Sequence, residues 1–103
     1  MVIIKNLSDR ISEELEGAEH YAKCAIKHRE DHPTLAKTMY DIATDEMRHV
    51  DLLHAEVVKI IKAYREKSGE PPAAMMAVYE YLHEKQIEEA AEVKMLLAQY
   101  REA

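Results

Sequence analysis

The sequence predicts an all-α protein: two long helices forming an antiparallel hairpin, a long third helix, and a bundle completed by homodimerisation. Three observations carry this. Apolar residues recur at helical spacing through three long segments. Two short breaks rich in Pro, Gly and Asp separate those segments. The 103-residue chain has two glycines, three prolines and no Phe or Trp, a composition suited to helices packed through aliphatic side chains, and strand-like alternation is absent.

The first helix is predicted over about residues 8–30, with Leu7, Ile11, Leu15, Ala18, Ala22, Ala25 and Ile26 on one side. It stops at Asp31-His32-Pro33-Thr34, where Pro33 suits the first position of a new helix and Asp31 or His32 can cap it. The second helix, about 34–67, aligns Leu35, Met39, Ile42, Ala43, Val50, Leu53, Val57, Ile60, Ile61 and Tyr64. Lys67-Ser68-Gly69-Glu70-Pro71-Pro72 ends it: Gly69 can take a left-handed terminal position, and Pro71 or Pro72 restarts the chain. The third helix, about 72–101, carries Met75, Val78, Tyr79, Leu82, Ala90, Val93, Leu96, Leu97 and Tyr100 in a stripe interrupted by Gln86 and flanked by Glu89. Those two polar residues are expected to set the register of a dimer interface in preference to approaching a metal. No repeat or low-complexity tract occurs, and residues 1–103 read as a single domain.

A domain this small has a thin margin of stability, which makes self-association plausible. The net charge of −6, with acids and bases interspersed, argues against nucleic acid as a partner, because phosphate binding needs a concentrated basic surface. The single cysteine, Cys24, can form no intramolecular disulfide, and a reducing cytoplasm is the expected compartment. Met1 to Lys5 is too short for the apolar core of a signal peptide, and no run reaches membrane-spanning length, so no membrane partner is expected.

Six histidines and twenty acidic residues would give roughly one acidic-x-x-His match by chance; the chain has Glu46/His49, Asp51/His54 and Glu80/His83. Helical geometry separates them. At 100° per residue Glu46 falls within roughly 20° of the centre of its apolar stripe, with His49 about 80° away on the same side. Asp51 and Glu80 fall about 120–140° from theirs and belong to solvent. In the run Glu13-Glu14-Leu15-Glu16, only Glu14 flanks the core side, and Tyr21 lies two turns further on nearly the same line. Glu14 and Glu46 straddle the predicted turn at similar distances, so they can meet across the hairpin. An ionised carboxylate aimed at a helix core needs a partner or a metal. The bland alternative is a satisfied buried charge, with Glu46 paired to Arg48, a lysine or a histidine. His20, His28, His32, His54 and His83 read as surface or flank residues, and the methionines as filling for core or interface.

Two carboxylates and an imidazole are an incomplete set for a reactive iron or manganese ion. A two-fold axis doubles them to four carboxylates and two histidines, and four negative charges balance two divalent cations. That is the ligand inventory of di-iron carboxylate bundles.

Glu13-Glu14-Leu15-Glu16 with Tyr21 downstream, followed after one turn by Asp45-Glu46-Met47-Arg48-His49-Val50, resembles the ferritin-like superfamily. The likeness is to its rubrerythrin-type and encapsulated-ferritin branches and spans about residues 8–62. In encapsulated ferritins, helical hairpins dimerise to create a ferroxidase centre at the interface. The resemblance therefore implies metal-ligand roles for Glu14, Glu46 and His49, with Tyr21 nearby. The chain departs from the pattern in lacking rubredoxin-like cysteines, and Met95 to Ala103 reads as a helix end with nothing like an encapsulin-targeting tail.

The expected function is a homodimeric or larger non-haem iron protein that holds two ions per dimer, one per chain, and oxidises Fe(II) with O2 or peroxide. Manganese or zinc at the same ligands is the variant without redox turnover. The alternative from another class is a helical assembly module whose site is empty or structural.

Overall fold

The computed structural model describes residues 1–102, with Ala103 outside them, and contains three α-helices: α1 Val2–His28, α2 Pro33–Ser68 and α3 Ala73–Glu102. There is no strand among the described residues. The body measures 56 × 19 × 18 Å, its long dimension set by the 36 residues of α2 at about 1.5 Å each.

Helix α1 begins at Val2, earlier than expected from the sequence. The β-branched run Val2-Ile3-Ile4 is a weak helix former, but Ile4 is buried and packs in one cluster with Ile11, Leu15, Val50, Val57 and Ile61. Tertiary burial thus extends the helix past its local propensity. At the first break Pro33 occupies the first turn of α2 with His32 as N-cap; neither His32 nor Asp31 supplies a side-chain cap, and the helix starts on the Ala36 N–H bond to the His32 carbonyl at 2.9 Å. At the second break Gly69 has φ of +79°, a conformation side chains disfavour, and its N–H donates to the Arg65 carbonyl at 3.1 Å.

The α1–α2 pairing is antiparallel, since Glu14 meets His49 while Gly17, three residues on, meets Glu46, three residues back. Ala36, Ala43, Val50 and Val57 form a heptad line buried on α2, against the α1 line Ile4, Ile11, Leu15, Ala18, Ala22 and Ala25. The stripe expected on α2 was too wide: Leu35 and Ile42 are 43% and 36% exposed, each lying about 100° round from a buried alanine. Val78, also expected inside, is exposed on α3, where its neighbour Tyr79 faces the core.

Helix α3 packs chiefly on α1. Val93 and Leu97 close over Ala18, Ala22 and Ala43, and the Arg29 guanidinium donates to the carbonyls of Gln99 and Tyr100, satisfying acceptors left free in the last turn of α3. Gln86 corrects the sequence reading. It is buried within the chain, where its amide nitrogen donates to the Ser8 carbonyl at 3.0 Å, Ser8 Oγ at 3.2 Å and Ser12 Oγ at 3.0 Å, so it fixes α3 against α1 and does not serve a dimer interface.

The α2–α3 seam is held by ring stacks. Tyr40 stacks on Tyr100 at 4.7 Å, with Arg101 donating to the Tyr40 hydroxyl; His54 stacks on His83 at 4.8 Å, and Tyr79 continues the column. His54 and His83, expected as surface or flank residues, are half-buried and partner each other. Burial, then the facing His54, lower the His83 pKa, partly opposed by Glu84. Because the folded value lies below the ordinary 6.5, the unfolded chain takes up this proton first. Stability from the neutral His83 ring is intact above the ordinary value and is lost as pH falls through the folded one. In thermal melts from pH 8 to 5, wild type is expected to be more stable than His83→Gln at pH 8, with the gap closing in acid. A constant gap would contradict the account. Glu89 works in the opposite sense: burial, then Glu19 and Glu16, raise its pKa, so its cost is present at neutral pH and relieved in acid. The comparison with His83→Gln isolates the histidine.

Candidate metal centre

The hairpin brings Glu14, Glu46 and His49 together at mid-length. Glu14 is the only member of its acidic run turned toward α2: Glu13 is exposed and pairs with Arg10 at 3.6 Å, while Glu16 is exposed and acts on Glu89 on the α3 side. His49 Nδ1 lies 3.4 Å from Glu14 Oε2, with the imidazole 44% and the carboxylate 25% exposed. The group is therefore reachable from outside yet partly desolvated. Asp51 and Glu80, the acids of the other two acidic-x-x-His matches, are exposed.

Glu46 is the unusual member. Its Oε2 is fully buried and has no hydrogen-bond partner among the described residues. A buried acceptor without a donor costs about 1–3 kcal/mol, so such atoms are rare. Burial is the main cause raising its pKa, followed by the negative charge of Glu14, with His49 and His20 pulling the other way. Arg48, one of the three kinds of partner the satisfied-charge alternative offers Glu46, is exposed and faces Asp45 at 3.9 Å; the basic residues that act on Glu46 are His49 and His20. Tyr21 sits one turn beyond Gly17, half-buried against the alanine cluster and edge-on to His20 at 5.5 Å.

Two neighbours were not assigned to the site from the sequence: Gly17, and His20, which was placed among the surface or flank residues and is exposed. His20 lies close enough to act on Glu46, and its Nε2 is 3.8 Å from Cys24 Sγ; the signal was the four-residue spacing of His20 and Cys24 along one helix. Gly17 lies directly across from Glu46, and the signal was a glycine inside a long helix, which costs about 0.5–1 kcal/mol relative to alanine. Glu89, flagged beside Gln86, belongs to the α1–α3 side with Glu16, Glu19 and Glu92 and takes no part in this group.

The group occupies the side of the hairpin away from α3. On α2, Glu46 is offset by about 50° from the buried line through Ala43 and Val50, and Met47 by about 50° the other way. Met47 packs against both core clusters, and Tyr40 and His54, seven residues to either side of it, reach Tyr100 and His83 on α3, so Glu46 and His49 lie on the uncovered flank. The exposed Leu35 and Ile42 fall on the same seven-residue line as His49, and Leu7, Glu14 and Tyr21 form the corresponding line on α1.

Two carboxylates and an imidazole are hard and borderline donors of the kind iron, manganese and zinc accept. Among the described residues, no three His, Cys, Asp or Glu side chains of one chain converge on a point where an ion could sit. No family model, curated protein or solved structure matches the sequence. Among the described residues, no helix is long and apolar enough to cross a membrane.

Proposed function

We propose that this chain is a ferritin-like di-iron carboxylate protein that dimerises through the uncovered side of its α1–α2 hairpin and oxidises Fe(II) with O2 or peroxide. The observation that carries the reading is the buried Glu46 oxygen without a donor, beside the Glu14 carboxylate and His49. A cation offsets the desolvation of Glu46 and its repulsion by Glu14 together, whereas a hydrogen-bond donor from the chain would have to enter a space it does not reach. The donor chemistry fits iron, and in a two-fold dimer Glu14, Glu46 and His49 of each copy would hold one ion per chain. Manganese or zinc would fit the same donors without turnover.

When bound, iron supplies the electrons: two ferrous ions give one each to the oxidant. The residues of the chain provide the rest. Glu14 and Glu46 place negative charge where the metals gain positive charge, which favours the ferric over the ferrous state. His49 contributes a ring nitrogen, the one borderline donor of the set. Leu35 and Ile42 on the same flank suit contact with a second copy, burying apolar surface around the polar group.

The test is to load the protein with Fe(II) without air, admit O2, and follow the near-ultraviolet absorption of Fe(III). Oxidation faster than in buffer is expected, and Glu14→Gln should slow it by roughly tenfold or more, because glutamine keeps the shape and loses the charge. Glu16→Gln, on the α3 side, should leave it unchanged. No excess over buffer would overturn the ferroxidase reading and favour a packing module.

A further inference from the structure

Gly17, the only glycine inside a helix among the described residues, has no backbone reason to be one: of those residues Gly69 alone has a positive φ. Helix propensity favours alanine at such a position. Close packing of helices is a common reason for an internal glycine, but then a β-carbon would strike the backbone of the facing helix. Here the three atoms nearest to a β-carbon at position 17 all belong to the Glu46 side chain: Oε2, which it would overlap, Cδ at 3.0 Å and Oε1 at 3.1 Å. The carboxylate occupies the volume that any other residue would fill. It is not tied there by a hydrogen bond, since Oε2 has no partner among the described residues.

We propose that Gly17 is a positioning residue for Glu46: its missing β-carbon forms the cradle that keeps the carboxylate on the α1–α2 seam beside Glu14 and His49. The functional part of this inference rests on Glu46 being a metal ligand; the cradle itself is a property of the metal-free chain. Oε2 can lie against α1 only because position 17 presents no side chain. A methyl group there displaces the carboxylate outward along α2, away from Glu14.

The experiment is a double-mutant cycle between Gly17→Ala and Glu46→Ala, read as melting temperature in chelator and as the visible absorption of added Co(II). With the carboxylate removed, Gly17→Ala should raise the melting temperature by about 3–6 °C, the ordinary helix-propensity gain. With Glu46 present it should give no gain or a loss, and it should weaken Co(II) binding by roughly 10–100-fold with an altered spectrum, as expected for a residue that orients a ligand. If Gly17→Ala alone does not fold, recovery in the double variant supports the cradle. Equal gains in both backgrounds, or failure to fold in both, overturn it. A coupled cycle in a wild-type protein that binds no Co(II) upholds the cradle and overturns the metal reading, so the two failures are distinct.

Discussion

Glu46→Ala is expected to abolish high-affinity binding of Fe(II) or Co(II), lowering affinity at least about 100-fold, while raising the stability of the metal-free protein. The two effects share one cause. Glu46 carries a buried oxygen without a donor, next to a second carboxylate, so in the absence of metal it opposes folding. Alanine removes that cost and leaves the space beside Gly17 open, for a net gain of about 1 kcal/mol, or roughly 4–8 °C in melting temperature for a chain of this size. Calorimetric titration and thermal melts in chelator read both effects. His49→Ala should weaken binding as well, whereas His54→Ala, at the α2–α3 seam, should leave it intact. Unchanged stoichiometry in Glu46→Ala would remove the residue from the site, and a large loss of metal-free stability would mean that it serves the fold.

Much of this arrangement was legible in the sequence because it depends on local chemistry. The helical period located all three helices, and the prolines and Gly69 located both breaks, since a ring without an N–H and a positive φ act within a few residues. The inward aim of Glu46 followed from its angle to the centre of the apolar stripe, although with Leu35 and Ile42 exposed the buried line is narrower and lies about 50° from Glu46. What was missed depends on residues far away in the chain. The early start of α1 requires Val57 and Ile61 to bury Ile4. Gln86 looked ambiguous inside an apolar stripe because its acceptors, Ser8 and Ser12, are 78 and 74 residues distant. His54 and His83 each look like a flank residue until α3 lies alongside α2 and stacks them. Gly17 advertised an internal glycine, but only the facing helix shows that the space is taken by a carboxylate. The width of the α2 stripe was overestimated for a related reason: periodicity places Leu35 and Ile42 near the core side, but only α1 and α3 are present to cover it.

Metal is expected to drive association of the chain, because in the proposed dimer each copy supplies half of the ligands to the pair of ions. Without metal, a two-fold contact at this flank opposes Glu14 and Glu46 of each copy to those of the other, in chains that each carry a net charge of −6. With one ion per chain the four carboxylates are balanced, and an ion bound only by the dimer stabilises it by about 2.7 kcal/mol at a hundred times its dissociation constant. The most direct test is sedimentation velocity of the wild-type protein in chelator and with Co(II) or Fe(II) added without air, with bound metal counted in each sedimenting species. The account predicts a shift to twice the monomer mass, one metal per chain in the heavier species, and reversal by chelator. A monomer that binds a full pair of ions, or a dimer indifferent to metal that binds none, would contradict it.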